Sequence, residues 1–197
     1  MKKIILALGL TASSIFAIDL GIVLISPEVG ATLSYNKFNG TASSREENVY
    51  FENDSAFGAG AYARLWIGAA GFMIAPHVKY DYLGSSFSSK TQGDKTAKQN
   101  IHNIQYGGVL GYRIPFIKLT PFVGASYSTF KGGFIQDSSL KETYAINFGV
   151  RWEIPFVPFL VLGFEGSWQK PNVNTPSSTA TGRVEMLNLG GTIGLAF

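Results

Sequence analysis

The chain has 197 residues, is 46% hydrophobic and 15% charged, and carries a formal charge of +3 with no cysteine. This length suits one domain, and the lack of thiols excludes a disulfide framework and a thiolate metal site. With Lys2 and Lys3 assigned to an export signal, 14 basic residues stand against 13 acidic ones, which removes the electrostatic basis for nucleic-acid binding.

Met1-Lys2-Lys3, the apolar run from Ile4 to Leu10 and the small residues Ala12, Ser13, Ser14 and Ala17 predict a secretory signal over 1–17 and a mature domain over 18–197. Cleavage after Ala17 puts Ile15 three positions before the cut, and a cut after Ser14 is the alternative. Beyond this signal no stretch approaches the roughly 20 consecutive apolar residues of a spanning helix. The remaining way to cross a membrane is a closed barrel, in which every backbone donor and acceptor is paired between strands.

Strict alternation over segments of about ten residues is the pattern of such strands. In chain order the predicted strands cover 25–35, 57–67, 72–82, 104–114, 119–129, 144–154, 160–168 and 187–197. In the third, Phe72, Ile74, Pro76, Val78, Tyr80 and Tyr82 share one face, and Met73, Ala75, His77, Lys79 and Asp81 the other. The sixth sets Tyr144, Ile146, Phe148, Val150, Trp152 and Ile154 against Ala145, Asn147, Gly149, Arg151 and Glu153. The last sets Leu187, Leu189, Ile193, Leu195 and Phe197 against Asn188, Gly190, Thr192, Gly194 and Ala196. One face suits lipid and the other a polar interior.

Short breaks at 68–71, 115–118 and 155–159 alternate with long ones at 36–56, 83–103, 130–143 and 169–186. Short periplasmic turns and long external loops have this asymmetry. Aromatic residues collect at both ends of the strands, with Tyr35, Phe57, Tyr82, Tyr106, Tyr127, Tyr144 and Trp168 near the long loops. Phe72, Tyr112, Phe116, Trp152, Phe156, Phe159 and Phe197 lie near the short turns. Two such girdles fit the two membrane interfaces. The expected fold is an all-β, eight-stranded, antiparallel up-and-down transmembrane barrel.

The alternating terminus from Leu187 to Phe197, with Ile193, Leu195 and Phe197 on one face, resembles the C-terminal strand signal of small bacterial outer-membrane barrels. That family includes the OmpA membrane domain, OmpX and the opacity-type adhesins. The segment Leu119-Thr120-Pro121-Phe122-Val123-Gly124-Ala125 is similar to strand openings across these barrels, OmpW-like members included. The resemblance implies a bacterial outer-membrane location, with lipid, lipopolysaccharide and the outer-membrane assembly machinery as partners. It implies that Ile193, Leu195 and Phe197 act as the assembly signal.

The face turned away from lipid carries Glu28, Arg64, His77, Lys79, Asp81, Arg113, Arg151, Glu153 and Glu165. Levelled from the short turns, Glu28, Arg64, Arg151 and Glu165 fall at similar depth and are expected to form an ion-pair network that plugs the lumen. Charges inside so narrow a barrel need partners. A polar pathway gated by the same network is the competing reading.

His77 and His102 are the only histidines, and no ordinary zinc spacing is visible. His102 with Asp137, Ser138 and Ser139 invites comparison with outer-membrane acyltransferases, although the His-x-Ser arrangement of lipid A deacylases is absent. Gly58-Ala59-Gly60-Ala61-Tyr62-Ala63 fits a loose dinucleotide pattern but lies inside an alternating strand. Its glycines are expected to leave lumen space for larger opposing side chains. Asn39-Gly40-Thr41 and Asn53-Asp54-Ser55 match the glycosylation acceptor pattern by chance.

Lys37, Arg45, Glu46, Glu47, Glu52 and Asp54 mark the first long loop, and Lys90, Asp94, Lys95 and Lys98 make the second basic. Loops on a rigid scaffold commonly carry binding, and Tyr50, Phe51 and Phe87 add apolar contact area for host or surface ligands. The expected function is therefore non-enzymatic: a monomeric barrel without cofactor or metal, serving envelope integrity and surface contact or adhesion. The second reading is a narrow OmpW-like channel for small apolar compounds, past the inward Met73, Val109, Phe122, Val161 and Met186. The third is a lipid A-modifying enzyme.

Overall fold

The computed structural model describes residues 18–19, 23–43, 48–88, 96–132, 139–174 and 181–197, and the expected export signal over 1–17 lies outside them. Eight antiparallel strands follow one another round a barrel. They are β1 (Val23–Ser43), β2 (Asn48–Ala69), β3 (Phe72–Ser88), β4 (Thr96–Tyr112), β5 (Leu119–Lys131), β6 (Thr143–Glu153), β7 (Leu160–Gln169) and β8 (Thr181–Ala196). β8 returns to β1 from Arg183↔Thr41 to Ala196↔Glu28, so the barrel wall has no open edge.

Paired residues followed once round the wall run from Glu28 through Arg64, His77, Gly107, Ser126, Ala145, Gln169 and Met186 to Phe38, ten positions further along β1. With ordinary strand rise and spacing, this stagger gives a tilt of about 40° and a backbone radius of about 8 Å. Side chains fill a cylinder of that width.

Burial alternates as the sequence predicts. Phe72, Ile74, Val78, Tyr80 and Tyr82 are exposed, whereas Met73, Ala75, His77, Lys79 and Asp81 are buried. The exposed set includes Leu33, Leu110, Val123, Phe164 and Ile193 from five other strands, a belt that only lipid satisfies. Its upper margin carries edge-on pairs such as Tyr127–Tyr144, with ring centroids 5.5 Å apart, and its lower margin Phe72–Tyr112 at 5.2 Å.

The three short turns lie where expected. Ala70 and Gly71 both have positive φ, 51° and 89°, and link the paired residues Ala69 and Phe72, the hairpin geometry that matches strand twist. The fourth strand ends at Tyr112 rather than 114, and Ile114 forms only an isolated bridge to Leu119.

The long loops require correction. β1 and β2 extend to Ser43 and from Asn48, through most of the expected loop at 36–56. β3, β4 and β8 likewise cover much of 83–103 and 169–186. Both acceptor-like triplets, at Asn39 and Asn53, thus lie in strands.

The physical reason is a reversal of polarity above the upper girdle. There Lys37, Asn39, Asn100, Arg183 and Glu185 are at least partly exposed, while Phe38, Ala56, Leu83, Ile101, Val184 and Met186 pack together inside. Outside the membrane the wall faces water, so apolar residues turn inward as in a soluble protein. Leu140 and Val173 complete this external core from two short ribbons, Ser139–Leu140 and Asn172–Asn174, which pair with each other, the second also with β8.

Candidate functional site

The lumen between the lower turns and the external core is lined by polar side chains, and its charged members form one continuous chain of alternating sign. Arg113 Nη2 pairs with Glu153 Oε2 at 2.7 Å, and Glu153 Oε1 with Arg151 Nη1 at 2.5 Å. Arg151 Nε also pairs with Glu28, which in turn meets Arg64 Nη1 at 3.9 Å. Arg64 pairs with Glu165, Glu165 with Lys79 Nζ at 2.9 Å, and Lys79 with Asp81 Oδ2 at 3.3 Å.

These cations and anions are equal in number, and all but Arg113 and Glu153 are buried. An isolated buried charge is very costly, and each ion here reduces that cost for the next. The strand register explains the meeting. Glu28 pairs with Arg64 across β1 and β2, while the stagger of the wall brings β6 to the level at which Arg151 reaches Glu28.

Aromatic side chains pack against members of the chain. Trp66 Nε1 donates to Glu28 Oε2 at 3.1 Å, and the guanidinium of Arg151 lies 5.5 Å from the Trp66 ring. The Arg64 guanidinium sits 4.4 Å over Tyr62 and 5.1 Å over Phe122, distances at which cation–π attraction operates. Trp66, Met73, Ala75, Val109 and Phe122 form an apolar cluster beside these charges.

The neutral polar side chains of the lining are hydrogen-bonded to one another. Asn147 Nδ2 donates to Ser126 Oγ at 2.7 Å, Ser126 Oγ to Gln105 Oε1 at 3.2 Å, and Gln105 Nε2 to Ser167 Oγ at 3.3 Å. Asn188 Nδ2 donates to Asn36 Oδ1 at 2.7 Å. The external core lies beyond.

Glu28, Arg64, Arg151 and Glu165 are thus brought together, with Lys79, Asp81, Arg113 and Glu153 extending the chain in both directions. His77 is buried among them without a protein hydrogen-bond partner at either ring nitrogen. Trp66 and Tyr62 were not singled out in the sequence, although both share the inward parity of Arg64. Gly60 leaves room as expected, since a Cβ there would lie 2.6 Å from Asp81 Oδ1 and 2.7 Å from Thr32 Oγ1.

His102 points to the outer surface, where its Nδ1 lies 2.7 Å from the Tyr80 hydroxyl and its ring 5.2 Å from that of Tyr82. Ser139 is exposed at the rim, and Asp137 and Ser138 lie outside the described residues. So do Arg45, Glu46 and Glu47 of the first loop and Lys90, Asp94 and Lys95 of the second. Among the described residues, no group of three or more His, Cys, Asp or Glu could hold a metal ion.

No protein-family model matches the chain, and no curated protein matches it in sequence. Among solved structures it is similar to the outer membrane protein OprG from Pseudomonas aeruginosa, at 10% identity over 87% of this chain and 95% of that one, with a TM-score of 0.58. The outer membrane protein AlkL aligns at 14% identity over 87% of this chain and 90% of its own, with a TM-score of 0.49. Neisserial surface protein A aligns at 14% identity over 85% and 97%, with a TM-score of 0.44. The likeness to OprG concerns the fold alone. The closed wall and its apolar belt are those of a small outer-membrane β-barrel.

Proposed function

We propose that this chain is a non-enzymatic, monomeric outer-membrane barrel whose lumen is closed, and that it serves envelope integrity and surface contact through its external end. The observation that carries this reading is the unbroken chain of charge from Arg113 to Asp81. It occupies an interior about as wide as the side chains within it. The apolar core around Phe38, Leu83 and Ile101 closes the external end. With transport blocked at both levels, the projecting wall is the part of the molecule that meets partners, lipopolysaccharide among them. Ile193, Leu195 and Phe197 serve in this reading as the signal read by the assembly machinery. Planar-bilayer recording tests the closed lumen: the expected trace has no steady conductance, and a stable open level would overturn it.

One observation favours the channel as a second reading. Met186 joins the external apolar core, while Met73, Val109 and Phe122 join the lower one, which gives an apolar compound two places to rest. The charged and amide-lined layers between them make the continuous route unfavourable. Uptake of a small apolar dye into vesicles containing the barrel, above that of protein-free vesicles, would favour the channel.

A further inference from the structure

The turn following β4 reads Arg113-Ile114-Pro115-Phe116-Ile117, and the turn following β6 reads Glu153-Ile154-Pro155-Phe156-Val157. The Arg113–Glu153 ion pair ties these two turns together at 2.7 Å. Short aqueous turns are usually polar, yet Phe116 is 97% exposed and Phe156 93% exposed. Ile117, Val157 and Phe159 are also exposed, and large exposed apolar side chains gathered on neighbouring turns mark a contact surface. Each turn ends in a non-glycine residue at positive φ, Lys118 at 53° and Phe159 at 69°, a strained conformation that clusters at functional sites.

Behind the second turn a cavity of about 560 Å³ enters the lower mouth of the lumen. Its apolar lining includes Leu24, Val157, Phe159, Val161, Ala196 and Phe197. Its polar lining includes Arg113, Glu153 and Lys118. Arg113 and Glu153 neutralise each other, whereas Lys118 has no ion-pair partner among the described residues. The cavity borders the lipid-facing belt, because Leu160 lines both it and an outer-wall groove formed with the exposed Val29, Ile193 and Leu195.

We propose that this vestibule binds an anionic phospholipid of the inner leaflet, with one acyl chain in the cavity and the phosphate against Lys118. The volume lies within the range of small-molecule pockets, the lining is mainly apolar, and Lys118, exposed and without an ion-pair partner among the described residues, is one of its polar members. The exposed Phe116 and Phe156 rings lie in the headgroup region beside the bound lipid, where aromatic side chains are favoured.

The test uses the full chain in phosphatidylethanolamine vesicles containing a phosphatidylglycerol analogue with a photoactivatable acyl end. Cross-linked peptides are mapped by mass spectrometry. Adducts on 154–161 or 196–197 are expected to fall about fivefold or more in Lys118→Asp, the loss corresponding to one cation at an anionic surface. Asp tolerates positive φ, and heat-modifiable gel mobility verifies that the variant barrel is folded. Ala196→Trp, which fills the cavity, is expected to abolish the same adducts. Labelling confined to the outward belt, or labelling of the vestibule that Lys118→Asp leaves unchanged, would overturn the proposal.

Discussion

Arg113 and Glu153 join across 40 residues of sequence by a hydrogen-bonded ion pair of 2.7 Å, the lowest link in the lumen's chain of charge. Both side chains retain about a fifth of their exposure, whereas Glu28, three links from Arg113, is 1% exposed. Position in the chain therefore sets the cost of breaking it. Glu28→Ala removes one carboxylate from two buried guanidinium groups, leaving Arg151 only Glu153 and Arg64 only Glu165, and is expected to destabilise the barrel by about 3 kcal/mol. Arg113→Ala, at the solvated end, is expected to cost about 1 kcal/mol or less. Urea unfolding in lipid vesicles measures both, and equal losses would contradict the layered burial.

Glu28 and Arg151 provide a second prediction. Replacing both by apolar residues of similar volume, Glu28→Leu with Arg151→Met, is expected to cost less than the sum of the single replacements. Contacting residues couple by about 0.5–3 kcal/mol, and removing both charges leaves neither without the other. A double-mutant cycle measures the coupling. Strict additivity would show that the pair contributes nothing of its own.

Phe38 is fully buried in the external core. Phe38→Ala is expected to cost about 3–5 kcal/mol through the cavity it leaves. The damage is expected above the girdle, because Leu140 and Val173 lose the surface on which they pack. Limited proteolysis of intact vesicles is expected to cleave near 139–140 or 172–174 while heat-modifiable mobility persists. Loss of that mobility together with the cleavage would mean that the external core holds the membrane wall as well.

Glycines inside and outside the wall differ in the same way. Gly60→Val drives its Cβ against the Tyr80 backbone carbonyl oxygen and against Asp81 and Thr32, whose own hydrogen bond is 3.1 Å long. Overpacking of this kind is expected to cost about 1–3 kcal/mol. Gly191→Ala meets nothing within 4 Å and is expected to be neutral within about 0.5 kcal/mol. The two midpoints in one denaturant series decide the matter.

Phe197 donates its backbone N–H to Pro27 at 2.9 Å and stacks on Phe159 at 6.0 Å. Removing this one residue is expected to lower the yield of inserted barrel in cells far more than removal of any external segment. Comparing membrane-inserted with total protein measures the effect. Normal insertion of the truncated chain would contradict an assembly role for the terminus.

The alternation of apolar and polar residues was enough to give eight strands, their three short turns, the lipid-facing set and the inward parity of every charge in the lumen. Periodicity of two is a local property of a strand, and lipid outside with polar groups inside imposes it residue by residue. The same rule failed above the upper girdle. There water replaces lipid and the apolar side turns inward, so Phe38, Leu83, Ile101 and Val184 fell in segments read as loops.

Which inward charges meet was decided by tertiary structure. Sequence placed Glu28 and Arg151 on inward faces of strands 123 residues apart, and only closure of β8 on β1 with a stagger of ten positions fixed their relative depth. Stagger belongs to the closed wall as a whole rather than to any strand. The vestibule followed the same division. The two Ile-Pro-Phe turns are visible in the sequence, but the cavity behind them exists only because the closed barrel brings Leu24, Val161 and Ala196 to the same mouth.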